Sequence, residues 1–470
     1  MVITRLAPSP TGDPHIGTVF QALLDYVVAK KFKGKFIVRI EDTDKKREVK
    51  GTETAIFDAL KWFGLEPDND QILRQSERLS IYQEYAQKLI QSDHAYYCFC
   101  SAERLTKLRE EQTKQKKPPM YDKHCLQLDP LEAAAKAKVN PYVIRLNVPK
   151  NQTIVVNDLL RGKVKFDSNV VDDQVLLKSD GYPTYHLAAT VDDHLMNITH
   201  VIRGEEWLSS APKHVLLYQF FGWEPPQFIH TPILRNPDRS KLSKRHGHAS
   251  VSWYIKEGYL KEAVINFLAT RVWNHPQGKE VFSLEELIKY FEFKDLHLTG
   301  PIADINKLNW LNGQWLRLLP ETEMLKRLKP FQPKLLTTEK LKLIWPLLRE
   351  RLVKLSELDD LTSYFVNQPK VDPRALLDES KLSPAETIKY LEQVIQVIKV
   401  IKNWTVKDLE TSLHGLQQQL NLSPRQAFMT LRLAVTGRPA TPPLFDILNI
   451  LGKNEVIKRL NYAQKILSDR

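Results

Sequence analysis

Residues 8–18 (PSPTGDPHIGT) combine turn-forming residues with a histidine and a glycine that could bind phosphate. Apolar residues recur at three- and four-residue spacing from Ile16 onward, so His15 and Gly17 are predicted at the start of a helix. The N-terminus of a helix offers unpaired N–H groups and a dipole that favour phosphate. His15 could donate a hydrogen bond to that phosphate, and Gly17, which has no Cβ, would let an adenine ring lie against the backbone. The alternative is a proline-rich turn whose histidine is only a surface residue.

Residues 241–245 (KLSKR) form a second candidate phosphate site. Lys241 and Lys244 lie three residues apart with Ser243 between them, in a polar loop that follows Pro237. Two ammonium groups and a hydroxyl at this spacing can bind a triphosphate while it is converted into diphosphate. A solvated basic loop is the commoner explanation of such a run when it stands alone.

The elements around the first segment alternate between strand and helix. Short β-branched runs at residues 2–6 and 36–40 predict two strands, and apolar residues at helical spacing after each of them predict two helices. This alternation is typical of a parallel sheet with right-handed crossovers. The pattern changes over 79–178, which indicates an inserted subdomain, and it resumes at residue 183. After about residue 323 the sequence predicts only helices, with many basic positions.

Length and composition limit the class of protein. With 470 residues the chain is too long for one compact core, so two or three units are expected. The formal net charge of +12 favours a polyanionic partner such as nucleic acid, although some basic proteins have none. Three cysteines are too few for a disulfide framework and suit a reducing cytosol. The sequence contains no transmembrane run, secretory signal, P-loop or dinucleotide fingerprint.

Together and in this order, the HIGT and KLSKR segments resemble the two signature motifs of class I aminoacyl-tRNA synthetases. Thr18 replaces the second histidine of the first signature, a variant that is common among glutamyl enzymes. Residues 39–44 (RIEDTD), 182–186 (YPTYH), 191–194 (VDDH) and 201–207 (VIRGEEW) also resemble segments of the bacterial glutamyl-tRNA synthetase family. The resemblance covers essentially the whole chain.

The resemblance implies a fold class and an order of domains. The expected fold is α/β, with a Rossmann-like catalytic domain whose parallel sheet is split by an inserted α/β subdomain, followed by an all-helical anticodon-binding domain. The predicted ranges are 1–78 and 179–250 for the catalytic domain, 79–178 for the inserted acceptor-stem-binding subdomain, 251–323 for a helical region that contacts the tRNA stem, and 324–470 for the anticodon-binding domain.

The resemblance also assigns residues to ATP and to the chemical step. His15, Lys241 and Lys244 are expected to act on the phosphates during catalysis, with Mg²⁺ bound to the triphosphate. The residues expected to contact ATP are Pro10, Thr11, Gly17, Glu206, Trp207, Ser243 and Lys244. Because no step requires a protein nucleophile, these residues would act through positioning and charge stabilisation.

A pocket for an acidic amino acid needs cations for its carboxylates and an anion for its ammonium group. By resemblance, Arg5 and Arg203 would bind the carboxylates, because a guanidinium offers a planar fork of donors. Glu41 would bind the ammonium, and Ser9 and Tyr185 would add hydrogen bonds. For any one of these residues alone, an ion pair at the edge of the sheet is the alternative.

Three cysteines form a candidate zinc site that resembles the zinc-binding insert of some family members. Cys98, Cys100 and Cys125 would provide three thiolates, which is a good start on a tetrahedral site. The fourth ligand is open: Tyr121 lies four residues before Cys125, and His124 is a second option. The alternative is a degenerate site whose reduced thiols bind no metal.

The function implied by the resemblance is ATP-dependent ligation of L-glutamate to tRNA(Glu) through glutamyl-adenylate, with release of AMP and diphosphate. In this family adenylate formation waits for tRNA to bind. A non-discriminating enzyme that also charges tRNA(Gln) is the alternative within the family, and a small-molecule nucleotidyltransferase is the alternative from another class. The expected protein is a cytoplasmic monomer without a membrane partner. By resemblance, Arg351 is the candidate for an arginine that some relatives use to read the third anticodon base, and a simple surface arginine is the alternative.

Overall fold

The computed structural model describes residues 1–240, 242 and 248–469, and its strands form two sheets. The strands are β1 (Ile3–Leu6), β2 (Lys35–Ile40), β3 (Leu73–Arg74), β4 (Ala95–Cys98), β5 (Val143–Leu146), β6 (Thr153–Asp158), β7 (Gly162–Asp167), β8 (Val175–Leu177), β9 (His200–Gly204) and β10 (Gln227–Thr231). The larger sheet has the order β3-β2-β1-β9-β10-β6-β7, and the smaller one the order β4-β5-β8. Every neighbouring pair in the larger sheet is parallel except β6 and β7, so the predicted parallel sheet is confirmed.

Helices flank these strands and make up the C-terminal part of the chain. The helices that precede residue 300 are α1 (Ile16–Lys31), α2 (Thr52–Phe63), α3 (Leu79–Gln91), α4 (Ala102–Lys114), α5 (Pro130–Ala137), α6 (Tyr185–Leu195), α7 (Ala211–Phe220), α8 (Val251–Lys256), α9 (Lys261–Ala269) and α10 (Leu284–Tyr290). Those that follow are α11 (Ile305–Leu318), α12 (Glu321–Leu328), α13 (Thr338–Leu348), α14 (Leu358–Val366), α15 (Pro373–Ser380), α16 (Pro384–Val400), α17 (Val406–Gln419), α18 (Pro424–Thr436), α19 (Leu444–Leu451) and α20 (Lys453–Ser468). None of the helices in the described ranges combines the length and apolarity needed to cross a membrane.

The first β-α-β-α segment follows directly from its sequence pattern. The residues predicted to form the apolar face of α1 are all buried: Ile16, Val19, Phe20, Leu23, Leu24 and Val27. α2 buries Ile56, Ala59, Leu60 and Phe63 in the same way, as predicted. α2 ends at Gly64, whose φ of 73° is the left-handed conformation that glycine adopts without strain. Parallel pairing of β1 with β2, from Ile3 opposite Lys35 to Leu6 opposite Val38, places their carboxyl ends at one edge.

A hairpin from the middle of the chain extends the larger sheet. β6 and β7 pair antiparallel over six residues each, from Thr153 opposite Asp167 to Asp158 opposite Gly162. β6 also lies parallel to β10, with Phe228 opposite Asp158. The hairpin falls within the range 79–178 predicted for the inserted subdomain, and yet it hydrogen-bonds to the sheet that carries β1. The predicted domain boundaries stay predictions.

The chain divides into two compact units, the first comprising residues 1–255 and 261–308 and the second 256–260 and 309–470. The described secondary structure of the second unit is helical, and its helices have clear end signals. Ser383 and Ser423 begin α16 and α18 with capping boxes, and each is followed by proline at the first helical position. Leu444, Ile447, Leu448 and Leu451 form the buried face of α19.

Candidate active site

A cavity of about 1160 Å³ opens at the carboxyl ends of parallel strands in the first unit. Its walls include residues that follow β1 and β2, the end of β9, and residues 231–234 at and after the end of β10. In open α/β sheets this edge is where ligands bind, because strand order reverses there and helix N-termini point toward it. The residues with predicted roles that line the cavity are Arg5, Ser9, Thr11, His15, Gly17, Glu41, Tyr185, Arg203, Glu206 and Trp207.

His15 is the N-cap of α1, and its side chain is held by the helix itself. Its Nδ1 accepts a hydrogen bond of 2.9 Å from the backbone N–H of Gly17. A Cβ on Gly17 would lie 2.9 Å from that same Nδ1, so the capped geometry requires glycine here. The loop before it behaves as a tight turn, with Thr11 N–H donating to Ser9 O at 2.9 Å. Pro10 is buried, is not among the cavity-lining residues, and accepts from Val49 N–H at 3.0 Å.

The chain after residue 247 is hydrogen-bonded to this loop. Ile16 N–H donates to Ala249 O at 2.8 Å, and Val251 N–H donates to Pro14 O at 3.0 Å. Leu242, inside the second candidate phosphate segment, is buried and lines the same cavity. The predicted phosphate-binding residues of that segment, Lys241, Ser243 and Lys244, lie outside the described residues. The two candidate phosphate segments are more than two hundred residues apart in sequence. Even so, Leu242 lies at the cavity, and the chain after residue 247 lies against the His15 loop.

The arginine predicted at β1 is neutralised within the protein. Arg5 donates from Nε to Asp193 Oδ1 at 3.0 Å and from its NH2 nitrogen to Asp193 Oδ2 at 3.3 Å. Arg39 donates to the same Asp193 at 2.8 Å and to Glu41 at 3.0 Å. Burial opposes ionisation of Asp193, but the adjacent guanidinium groups of Arg5 and Arg39 lower its pKa overall. Burial raises the pKa of Glu41, and Arg39 offsets only part of that effect.

Arg203, predicted as the second carboxylate ligand, has different surroundings. It is 5% exposed and forms no ion pair with a described residue. Its Nε and NH1 nitrogens have neutral partners: His230 at 3.0 Å, Tyr185 Oη at 3.1 Å and His214 at 3.2 Å. The NH2 nitrogen is buried without a hydrogen-bond partner among the described residues. An unsatisfied buried donor costs about 1–3 kcal/mol, more when it is charged, so this nitrogen is suited to an anionic ligand.

Aromatic residues complete the same side of the cavity. Tyr185, the first residue of α6, has its ring centroid 4.5 Å from that of Trp207. Tyr185 Oη accepts from Arg203, which fixes the phenol beside the guanidinium. Trp207 is 38% exposed, so one part of its ring remains available to a ligand.

The cysteines predicted to bind zinc are brought together in the first unit. The Sγ atoms of Cys98, Cys100 and Cys125 lie within 4.8 Å of one another. Tyr121 Oη is 3.4 Å from Cys98 Sγ and 3.2 Å from Cys100 Sγ. The Arg145 guanidinium carbon lies 4.0 Å from the Tyr121 ring centroid and places positive charge beside the thiols. Four donors therefore surround one point, and the 3.6 Å between the Sγ atoms of Cys100 and Cys125 is close to the ~3.8 Å that tetrahedral Zn–S bonds imply. His124, the other candidate ligand, is exposed.

Comparisons with known proteins agree over the whole length of the chain. A family model described as tRNA synthetases class I (E and Q), catalytic domain, matches residues 1–310, and an anticodon-binding-domain model matches 323–464. The chain belongs to the class I tRNA synthetases of the glutamate and glutamine family. It is 43% identical to a glutamate–tRNA ligase of Marinomonas and 41% identical to one of Acidothermus cellulolyticus. Both comparisons cover 99% of this chain and 96% of the relative.

Solved structures give the same assignment to this class I synthetase. A glutamate tRNA ligase from Elizabethkingia meningosepticum in complex with its amino acid matches with a TM-score of 0.89 and 35% identity, covering 99% of both chains. The glutamate-tRNA synthetase of Elizabethkingia anophelis matches with a TM-score of 0.88 and 34% identity. The expected fold, a class I catalytic domain followed by a helical anticodon-binding domain, is confirmed. The anticodon-binding domain does not fit the small-molecule nucleotidyltransferase alternative.

Arg351 of this synthetase is exposed on the second unit, just after α13. Its backbone N–H donates to Leu348 O at 2.8 Å. Arg432 and Arg438 belong to the same unit, and Arg438 pairs with Asp360 at 2.6 Å. The role of Arg351 in reading an anticodon base stays a prediction.

Sequence reasoning gave no role to several residues that shape the synthetase pocket. Asp193 was part of a quoted segment, but its pairing with Arg5 spans 188 residues of sequence. His214 and His230, which accept from Arg203, stand alone in their segments without a motif around them. These acceptors lie opposite the arginines only because of the order of the strands in the sheet, which a single sequence does not reveal.

Proposed function

We propose that this chain ligates L-glutamate to tRNA(Glu) in two steps that share the cavity at the end of β1 and β9. In the first, an α-carboxylate oxygen of glutamate attacks the α-phosphorus of ATP, giving glutamyl-adenylate and diphosphate. In the second, a hydroxyl of the terminal ribose of tRNA attacks the acyl carbon, and AMP leaves. The observation that carries the proposal is that His15, the N-cap of α1, and Arg203, whose guanidinium forms no ion pair with a described residue, line one cavity.

The phosphate side of the cavity is formed by the start of α1. The first N–H groups of a helix and its dipole stabilise negative charge, and His15 stands at that terminus. Lys241 and Lys244 are proposed to bind the phosphates as diphosphate forms, with Ser243 beside them. Mg²⁺ would enter with the triphosphate of ATP. Thr11, Gly17, Glu206 and Trp207 line the cavity and are proposed to contact ATP; Pro10 would support the loop from behind.

The amino-acid side of the cavity carries charges opposite to those of glutamate. Arg203 offers a buried donor to a carboxylate, and Tyr185 Oη lies beside it. Glu41 lines the cavity and is proposed to bind the ammonium group, together with Ser9 in the neighbouring loop after β1. Arg5 also lines the cavity, but its charge is shared with Asp193. We assign the stronger carboxylate contact to Arg203 for this reason.

The partner in the second step is proposed to be tRNA(Glu), with tRNA(Gln) as the alternative second substrate. The net charge of +12 supports binding of a polyanion, and the second unit would hold the anticodon. The relatives named as glutamate–tRNA ligases support glutamate rather than glutamine as the amino acid. We further propose that the protein acts as a cytoplasmic monomer.

Zinc is proposed as a structural ion held by Cys98, Cys100, Cys125 and Tyr121. The donor set fits a closed tetrahedral site, which would stabilise the fold around β4 rather than take part in the reaction. Elemental analysis of protein purified without chelators should find about one zinc per chain, and Cys125→Ser should lower that ratio. Wild-type protein without zinc would exclude the proposal.

Two experiments test the function. Purified tRNA(Glu) and tRNA(Gln) are each offered with glutamate and with glutamine. Glutamate and not glutamine should be transferred to tRNA(Glu), and transfer of glutamate to tRNA(Gln) as well would identify a non-discriminating enzyme. ATP–diphosphate exchange in the presence of tRNA should fall about 10²-fold or more in Lys244→Ala, with tRNA affinity almost unchanged. Lys279→Ala, which removes an exposed lysine that pairs with Glu286, is the matched control. Exchange at the wild-type rate in Lys244→Ala would remove this residue from the mechanism.

A further inference from the structure

Three polar residues form a row across adjacent parallel strands of the larger sheet. Asp158 ends β6, His230 lies on β10 and Arg203 lies on β9. His230 is the register partner of Arg203, and β10 pairs with β6 beside Asp158. Asp158 Oδ2 is 2.6 Å from His230 Nδ1, and Arg203 Nε is 3.0 Å from His230 Nε2. The sheet therefore holds an unbroken hydrogen-bonded chain that ends at the guanidinium.

The direction of each hydrogen bond follows from the chemistry of arginine. A guanidinium only donates, so His230 Nε2 accepts from Arg203 and the ring hydrogen lies on Nδ1, where Asp158 accepts it. His214 also accepts from Arg203, because its Nδ1 lies 3.2 Å from the Arg203 NH1 nitrogen. Its ring hydrogen must then lie on Nε2, 3.1 Å from Nδ1 of His186. Both imidazoles that contact Arg203 are neutral acceptors.

Burial keeps these rings uncharged. His230 is 0% exposed and His214 is 2% exposed. Burial lowers the pKa of His214 well below its ordinary value, and the charge of Arg203 lowers it further. Burial also lowers the pKa of His230, although the hydrogen bond to Asp158 acts in the opposite direction. The partners of Arg203 thus fix its position without adding a negative charge next to it.

We infer that His230 and His214 are positioning residues of the glutamate pocket: they hold the Arg203 guanidinium through one acceptor nitrogen each and leave its positive charge for a carboxylate of the substrate. The inference rests on the proposed role of Arg203 in binding glutamate. A carboxylate in either position would fix the guanidinium equally well, but it would neutralise part of the charge that the substrate needs. Asp158 is a carboxylate, but it does not contact the guanidinium: it accepts from Nδ1 of His230, the nitrogen that faces away from Arg203.

The two histidines use different nitrogens, and this difference provides the test. Glutamine can place its amide oxygen near the position of Nε2, and asparagine can place its oxygen near Nδ1. At position 230, where Nε2 accepts, His230→Gln should keep the KM for glutamate near the wild-type value. His230→Asn should raise that KM about tenfold or more. At position 214, where Nδ1 accepts, the order reverses. His214→Asn should keep the KM for glutamate near the wild-type value, and His214→Gln should raise it. The KM for ATP should stay within about twofold in all four variants.

The reversed order separates positioning from a general packing role. If the side chains only filled the core, the KM for glutamate and the KM for ATP would change together, and both positions would prefer the same substitution. That result, or an unchanged KM for glutamate in His230→Asn and His214→Gln, would overturn the inference. Thermal unfolding of each variant identifies loss of folding, and each KM is measured only on protein that retains ATP binding.

Arg203→Gln distinguishes failure of the inference from failure of the proposed function. An unchanged KM for glutamate in Arg203→Gln would remove Arg203 from the binding site, and with it the basis of the inference. A strongly raised KM in Arg203→Gln, together with no reversal at positions 230 and 214, would leave the binding role intact and reject the positioning role alone.

Discussion

Arg5 and Arg203 line the same cavity from neighbouring strands, yet their charges are treated differently. Arg5 is paired with Asp193, which also binds Arg39. Arg203 is surrounded by two imidazoles and a phenol, and it forms no ion pair among the residues that the structure describes. From the sequence, either arginine could bind a carboxylate. Within the described part of the chain, only Arg203 of the two keeps an unpaired charge and a buried donor for a ligand.

The difference separates stability from recognition. A buried ion pair is costly to break, because removal of one partner leaves the other charge without compensation in a medium of low dielectric constant. A buried cation without an anion, by contrast, lowers the stability of the free protein and gains most when an anionic ligand arrives. We therefore expect Arg5 to serve mainly the fold and Arg203 mainly the substrate.

The largest effect should follow from Arg203→Gln. Loss of the uncompensated charge should lower kcat/KM for glutamate by about 10³-fold, since a charged hydrogen bond to a carboxylate is removed from a buried site. The free energy of unfolding should fall less than in Arg5→Gln, because removal of an unsatisfied buried charge offsets the loss of the hydrogen bonds to His230, Tyr185 and His214. Steady-state aminoacylation and urea unfolding on the same preparation measure both. A loss of stability as large as that of Arg5→Gln would show that Arg203 belongs with Arg5.

Arg5→Gln should show the opposite balance. Asp193 would keep Arg39 but lose its bidentate partner, so the free energy of unfolding should fall by about 3 kcal/mol. The KM values for glutamate and ATP should change by similar factors, since the defect lies in the sheet that supports both. Arg5→Gln with wild-type stability and a raised KM for glutamate alone would assign both arginines to the substrate.

The smallest effect concerns the pH dependence of stability. The pKa of Asp193 is lower in the folded protein than its ordinary value of about 3.9, so its contribution to stability is complete above that pH. The contribution is lost as the pH falls toward the depressed pKa. The difference in unfolding free energy between the wild type and Asp193→Asn should therefore be largest near neutral pH and narrow below about pH 4. A difference that does not change with pH would argue against an ionised Asp193.

Sequence predicted the parts of the catalytic sheet whose signals are local. α1 and α2 were predicted because their apolar residues recur every three or four positions, and both are buried on those faces. The cysteine cluster was predicted because thiol spacing is itself a local signal. The pairing of β6 with β10 was not predicted, because strand order depends on contacts between residues about 70 positions apart.

In the candidate site, too, the sequence predicted what depends on local signals and missed what depends on long-range contacts. Residues of the loop after β1 and of β9 line one cavity, and the sequence already associates them because they belong to motifs. The partners that determine what each arginine can do were not, because Asp193 and His230 reach them only through folding of the sheet. The charge available to a ligand is a property of the three-dimensional surroundings and not of the residue type.

The two nitrogens of the His15 ring lie at opposite edges and have different roles. One edge accepts the amide hydrogen of Gly17 and completes the first turn of α1. In the uncharged ring the hydrogen then lies on Nε2, at the other edge, and the hydrogen bond from Gly17 fixes the direction of that N–H. Asparagine could accept from Gly17 in the same way but has no atom at the position of Nε2, so His15→Asn could keep the helix start and still lose the proposed contact to phosphate.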